Sequence, residues 1–302
     1  MSEVIDLSRL PPPDVVETID YESIVTERQA GLIALAPPGM RASLAATLAL
    51  QSEPLTINVQ EIGMREVLFR QRVNDASRQT MLAFARGTNL DHLAVLFAIV
   101  RKTIQPADPE TGAPAVMESD DELRMRTQLA PQAFTVAGPS GAYRSHALNA
   151  HASVLDASAF MSTPGEVIVT VLSREGTGEP TQDVLDAVVA ALGDDVRPLT
   201  DKVVVRGAQI VPYDVTATIY TFPGPDSSMV LDQARARLAD YVANSHRLGV
   251  EVAASAIFAA LHTDGVERVE LTSPATDRIP ITMTQAARCR SIEITHGGVY
   301  GG

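Results

Sequence analysis

Glu118-Ser-Asp-Asp-Glu-Leu-Arg-Met-Arg-Thr-Gln-Leu-Ala-Pro-Gln-Ala-Phe-Thr-Val-Ala-Gly-Pro-Ser-Gly-Ala-Tyr-Arg-Ser-His-Ala-Leu-Asn-Ala150 separates two kinds of sequence. Ahead of it the chain is helix-patterned with hardly a strand signal, and behind it strands alternate with helices. Ser119 followed by Glu122 reads as a capping box, each side chain satisfying an amide that the helix start leaves unpaired. Asp120 and Asp121 in the first turn suit the positive end of the helix dipole. Pro131 should end that helix, and Gly138-Pro139-Ser140-Gly141 should form a turn with Ser140 capping a second helix that turns Tyr143, Ala147 and Leu148 inward.

Working upstream, residues 1–20 read as an extended arm, because Pro11, Pro12 and Pro13 forbid a helix. Asp20 can cap a helix from Tyr21 to about Ala36, ended by Pro37-Pro38-Gly39, and a second covers roughly Arg41–Gln51. Pro54 suits the first turn of a third, predicted to run to Arg86, about 50 Å at the usual rise. Along it Leu55, Val59, Ile62, Phe69, Val73, Ala76 and Ala83 keep a four–three spacing interrupted by Glu66 and Thr80. Met64, Val67, Leu68, Met81 and Leu82 make a second apolar surface. Periodicity alone leaves open an ordinary intrachain helix. Too little other helix precedes it to cover both faces, which favours packing between chains. Arg65, Arg70, Arg72, Arg78 and Arg86 fit either a solvated face or a surface that meets an acidic neighbour. Gly87 suits the end of this helix, and Thr88 with Asp91 a cap for a short helix at His92–Val100.

Residues 106–117 are rich in Pro, Gly and Asp and read as a linker. Downstream, 167–172 is apolar on both faces and therefore a central strand. Thr181 caps a helix to Gly193 with Val184, Leu185, Val188, Val189 and Leu192 in one stripe. Strands follow at 202–206 and 213–222, helices at 228–245 and 252–262, and strands at 266–272 and 290–295. The order around Leu148 and Val154 echoes that around Leu261 and Val266, either as two related units or by coincidence. The expected fold is a multidomain α+β chain: a long-helix, bundle-forming module at 21–105, small α+β modules at 118–206 and 207–296, and a tail at 297–302 ordered only on a neighbour.

Composition narrows the function. A chain of 302 residues with 45% hydrophobic side chains has ample core for folding. A net charge of −13 argues against a general nucleic-acid binder. Cys289 is the only cysteine, which rules out an intrachain disulfide and a thiolate metal cluster. No run nears the length of a membrane span, and Glu3 and Asp6 stand where a signal peptide needs a basic start, so a cytoplasmic chain is expected. No phosphate-binding loop is present, His146 and His151 point to different sides of a helix, and the carboxylates at 118–122 lack the spacing of a calcium loop. No cofactor, metal or catalytic residue is expected. With aromatics at 4% and no Trp, a hydrolase with a sugar-stacking cleft is the weaker alternative to a structural role.

The run Glu-Ser-Asp-Asp-Glu-Leu-Arg-x-Arg-x-Gln-Leu-Ala-Pro, then Ala-Gly-Pro-x-x-Ala-Tyr and His-Ala-Leu, resembles the baseplate assembly protein J family of contractile-tailed phages and related injection machines. The likeness continues in Gly87-Thr88-Asn89-Leu90-Asp91-His92-Leu93-Ala94 and in Leu10-Pro11-Pro12-Pro13 followed by Tyr21-Glu22, and downstream it becomes a matching order of elements. The resemblance implies a baseplate wedge subunit in the virion, assembled in the bacterial host cytoplasm. It implies that two copies join one different wedge protein through a helical bundle that contacts a small lysozyme-like wedge protein. Six wedges then surround the hub, and the ring relays host attachment to sheath contraction, with 105–117 and 195–202 as hinges. Leu55, Val59, Ile62, Phe69, Val73, Arg65 and Arg72 are the expected interface residues. Neither nucleic acid nor membrane is an expected partner.

Overall fold

A computed structural model of the chain describes residues 5–7, 10–11, 13, 17–135, 138–224 and 226–299. Half of the expected arm and the last three residues of the expected tail lie outside them. The fold is mixed α+β in two units, one made of the chain up to Val100 with Ser119–Arg124, the other of Arg101–Glu118 with Met125 onward.

The first unit is helical. Asp20 caps α1 (Tyr21–Leu35), accepting from the Glu22 and Ser23 amides, as its position before the first apolar turn requires. After α2 (Arg41–Leu48), Pro54 takes the first position of α3 (Pro54–Gln79), where its missing N–H is no loss. Where α1, α2 and α3 meet, Val25, Leu48 and Val59 are buried, with Tyr21, Leu32, Ile33 and Leu44 around them. Gly63 sets the approach of α1 to α3, since a Cβ there would stand 2.8 Å from Val25 Cγ2.

α3 stops at Gln79 rather than Arg86, so it is about 39 Å long, not 50. Thr80 takes the C-cap, and the Gln79 side chain accepts from the Arg86 amide at 2.9 Å, holding the chain as it turns. The Arg124 guanidinium donates to the carbonyls of Leu82 and Ala85 at 2.9 and 2.8 Å, satisfying acceptors that a continued helix would have used. Gly87, with φ of 53°, opens α4 (Gly87–Val95) instead of closing α3, and Arg86, not Thr88, holds its N-cap position.

The second unit opens with β1 (Thr103–Gln105) paired antiparallel to β2 (Val116–Met117). The expected linker 106–117 is thus a hairpin loop and its return strand. Lys102 secures the hairpin, donating through Nζ to the carbonyls of Leu148 and His151. Within the quoted stretch, α5 (Asp120–Leu129) begins with the Ser119 hydroxyl accepting from the Glu122 amide at 3.3 Å. Pro131 follows its end in a short 3-10 turn, Ala130–Phe134. Pro139 rather than Ser140 holds the N-cap of α6 (Ser140–Ala150), which buries Tyr143, Ala147 and Leu148.

Next come β3 (Val154–Thr163), β4 (Glu166–Ser173), α7 (Gln182–Ala191) and β5 (Lys202–Gly207). β4 is central, antiparallel to β3 and parallel to β5. Thr181 sits at the N-cap of α7, and Val184, Val188 and Leu192 turn inward while Val189 is exposed. The segment expected to hinge at 195–202 is tied down: Asp201 accepts from the Tyr143 hydroxyl at 2.6 Å, and Arg197 donates to the Asp201 carbonyl at 2.8 Å.

The remaining elements are β6 (Gln209–Thr221), α8 (Ser227–Ser245), β7 (Val252–Ala253), α9 (Ala254–Leu261), β8 (Val266–Ser273), β9 (Arg278–Ile279) and β10 (Gln285–Val299). Central β6 is antiparallel to β8 and parallel to β10, and turns Val215, Ala217 and Ile219 into a core shared with α8 and α9. Both three-stranded sheets therefore have a centre strand with one neighbour of each direction. In each, a helix (α6 or α9) feeds the antiparallel neighbour, the structural counterpart of the echo in the sequence. Residues 297–299 belong to β10 and are not a loose tail. Gly297 permits this, because a Cβ there would meet the Tyr220 ring at 2.6 Å.

The two sheets share a small core of Leu172, Ala208, Leu248 and Ala286. Beside it the buried Asp156 accepts from Arg144 Nη2 at 3.0 Å and from the Leu248 amide at 3.1 Å.

Candidate assembly surface

At 100° per residue, Thr56, Gly63, Val67 and Asn74 of α3 fall on one line, and all are buried. Leu55, Ile62, Phe69 and Val73 fall within about 40° of one another, roughly a third of a turn away, and are exposed. Phe69 is 68% exposed, an unusual position for a phenylalanine on a helix that already has an inner face. Ile57, Met64 and Leu68 are exposed on the opposite flank. α3 thus carries seven exposed large apolar side chains against two buried ones, Val59 and Val67.

The predicted interface residues divide accordingly. Leu55, Ile62, Phe69 and Val73 share the outer stripe. Val59 lies between the stripe and the inner line and is buried against α1 and α2. Arg65 pairs with Glu61 one turn back and borders the stripe, while Arg72 is exposed one residue before Val73.

Five further residues, outside the expected interface set, complete the surface. Glu66 breaks the apolar spacing because its carboxylate is shared: Arg28 Nε donates to Oε2 at 2.6 Å, and Arg70 donates to Oε1 at 2.6 and 3.1 Å. Those guanidiniums, Arg70 first, hold Glu66 below the usual carboxylate range. Arg70 also reaches Glu17 at 3.2 Å. Asn74, buried on α3, clasps the backbone of Glu17 through both amide atoms, accepting from its N–H at 3.1 Å and donating to its carbonyl at 2.9 Å. Glu17, Arg28, Ile62, Arg65, Glu66, Phe69, Arg70, Val73 and Asn74 line a groove of about 730 Å³. Of these contacts only the Glu66–Arg70 pair, at i and i+4, carries a signal in the sequence.

Among the described residues no group of three or more His, Cys, Asp or Glu is arranged to hold a metal ion. His146 is held below its ordinary pKa by burial, and burial pushes the Cys289 thiol up, away from the reactive thiolate. No described helix is long and apolar enough to cross a membrane.

The Baseplate J-like N-terminal domain matches residues 51–108, the Baseplate J-like central domain 135–207, and the Baseplate J-like protein C-terminal domain 213–295. Baseplate protein J of Escherichia phage P2 is 46% identical over 298 residues, covering 98% of both chains.

The chain belongs to the Baseplate J-like family.

As a member of that family it is a structural protein of the phage baseplate. The family's N-terminal domain contains all of α3 and hence the whole exposed stripe. The cryo-EM structure of the anti-feeding prophage (AFP) baseplate, 6-fold symmetrised, contains a chain that aligns with TM-score 0.38 and 14% identity, over 59% of this chain and 44% of that one.

Proposed function

We propose that this baseplate protein is a wedge subunit of a contractile tail, docking through the outer stripe of α3 into a helical bundle with a second copy of itself and a different wedge protein. The small lysozyme-like wedge protein contacts that bundle. The α+β modules meet their neighbours in a six-fold ring around the hub, and the ring relays host attachment to sheath contraction. The observation that carries this reading is the imbalance on α3. Covering what remains exposed of Leu55, Ile62, Phe69 and Val73 is worth roughly 1 kcal/mol each, about 4 kcal/mol together, a gain the isolated chain forgoes.

Co-expression with the neighbouring genes followed by native mass spectrometry tests it. The expected particle holds two copies of this chain and one different partner, and Ile62→Asp with Phe69→Asp should abolish it while the chain stays folded. A monomer that ignores every neighbour, or a double variant that still assembles, would sink the proposal.

A further inference from the structure

The two three-stranded sheets are joined by backbone that belongs to both. Only Ala208 separates β5 from β6, so the chain from Lys202 to Thr221 runs straight from one sheet into the other. The change of partner takes a single residue. The Ala208 amide donates to the Val171 carbonyl of β4 at 2.9 Å, and the Gln209 amide donates to the Thr284 carbonyl, just ahead of β10, at 3.0 Å. Each bond continues the parallel register of its own sheet, in which Val171 lies opposite Gly207 and Gln285 opposite Gln209. Bodies that move separately are joined by exposed, weakly bonded linkers, whereas Ala208 is 5% exposed and sits in the core between the sheets.

Further ties lie away from this strand. From β3 the buried Ser158 hydroxyl donates to the Met283 carbonyl at 2.6 Å, and Asp156 accepts from the Leu248 amide. From β10 the Arg288 guanidinium donates to the Gly176 carbonyl, in the loop that follows β4. In that loop a Cβ on Gly178 would stand 3.0 Å from Leu172 Cδ1 and Ile210 Cδ1 and 3.1 Å from His246 Nε2. His246 is itself fixed, its Nδ1 donating to the Ala287 carbonyl of β10 at 2.7 Å. The first sheet is thus held at both of its edge strands, β3 and β5, and beyond the end of its centre strand. Rotation about the shared strand would break the bonds at Ser158, Asp156 and Arg288 together and leave buried polar groups unpaired.

From this arrangement we infer that the joint at Ala208 is locked, so that the two sheets turn as one rigid body and transmit force without a change in the angle between them. The lock is a property of the chain alone. Its use in relaying host attachment rests on the wedge proposal, and there it means that no step of the relay bends the chain between β5 and β6.

Double electron–electron resonance on the full chain tests the lock. Nitroxides go on Ala190→Cys of α7 and Gln233→Cys of α8, both exposed helix positions, in a Cys289→Ser background. The free chain should give one narrow distance peak, and the same peak should be found in the assembled baseplate before and after contraction. Ser158→Ala with Arg288→Ala removes ties at β3 and at Gly176, and should broaden the peak while amide protection of Val171 and Ile219 in the two centre strands persists. A broad or two-peaked distribution in the parent chain, a double variant as narrow as the parent, or a peak that moves on contraction would overturn the inference. The measurement on the parent chain does not depend on the variant folding. If no wedge particle forms, a narrow peak in the free chain keeps the lock and only its use in the relay falls. If a wedge particle forms from a chain that gives two distances, the wedge proposal stands and the lock falls.

Discussion

Gly63 offers a sharp test of how the helical unit is packed. A Cβ on Gly63 would lie 2.8 Å from Val25 Cγ2, 3.7 Å from Tyr21 Cε2 and 3.9 Å from Val25 Cα. Ordinary carbon contacts need about 3.5–4.0 Å, so α1 or Val25 must retreat by roughly 1 Å. Val25 is buried and β-branched, with one favoured rotamer in a helix, so the side chain cannot swing aside and the helix itself must move. Overpacking of this kind costs about 1–3 kcal/mol, and alanine returns about 1 kcal/mol of helix propensity. Gly63→Ala is therefore expected to destabilise the unit by roughly 0–2 kcal/mol. Gly31 of α1 has nothing within 4 Å of its hypothetical Cβ, so Gly31→Ala should stabilise by about 1 kcal/mol. In a Val25→Ala background the obstructing methyl is gone, and Gly63→Ala should become stabilising as well. Because the chain has two units, the readout is amide hydrogen exchange across 21–35 and 54–79 rather than a global melt. If Gly63→Ala raises protection as much as Gly31→Ala does, α1 does not lie on α3 at that position and the account of the core is wrong.

The junction of the two sheets and the Glu66 network give two more expectations. Asp156→Ala leaves the Arg144 guanidinium and the Leu248 amide without their acceptor, and should cost about 3 kcal/mol in urea unfolding; a loss below about 1 kcal/mol would mean that the sheets hold together without it. Glu66 has its pKa lowered in the folded chain, so the stability it contributes is present above its ordinary value of 4.5 and is lost as pH falls towards its folded value. Protection of α1 and α3 should therefore decline below about pH 4.5, less steeply in Glu66→Gln, and identical pH profiles for the two proteins would exclude that contribution.

What the sequence disclosed about α3, and what it withheld, follows from how a helix presents its side chains. Spacing alone placed Leu55, Ile62, Phe69 and Val73 on one stripe, and they are exposed together. The same four–three rule swept in Val59, which lies only about 50° from that stripe and belongs to the inner face, because periodicity defines a direction but not where one face ends. The end of α3 was misplaced for a different reason. Nothing between Gln79 and Arg86 is a helix breaker, and the chain turns there because Gln79 and Arg124 satisfy the backbone groups that the turn exposes. The linker at 106–117 misled in the same way, since a composition rich in Pro and Gly serves a hairpin loop as well as a hinge. In the second unit the alternation in 213–222 and the two-faced apolar run at 167–172 were enough to locate both central strands, because a strand with a buried face has only one workable register. The Asn74 clasp had no local signature at all. An asparagine on a polar stretch of helix looks solvated, and its partner is the backbone of a residue 57 positions away. Its hydrogen bonds from a buried side-chain amide fix Glu17 against α3 without drawing on the apolar residues of the outer stripe, which stay exposed.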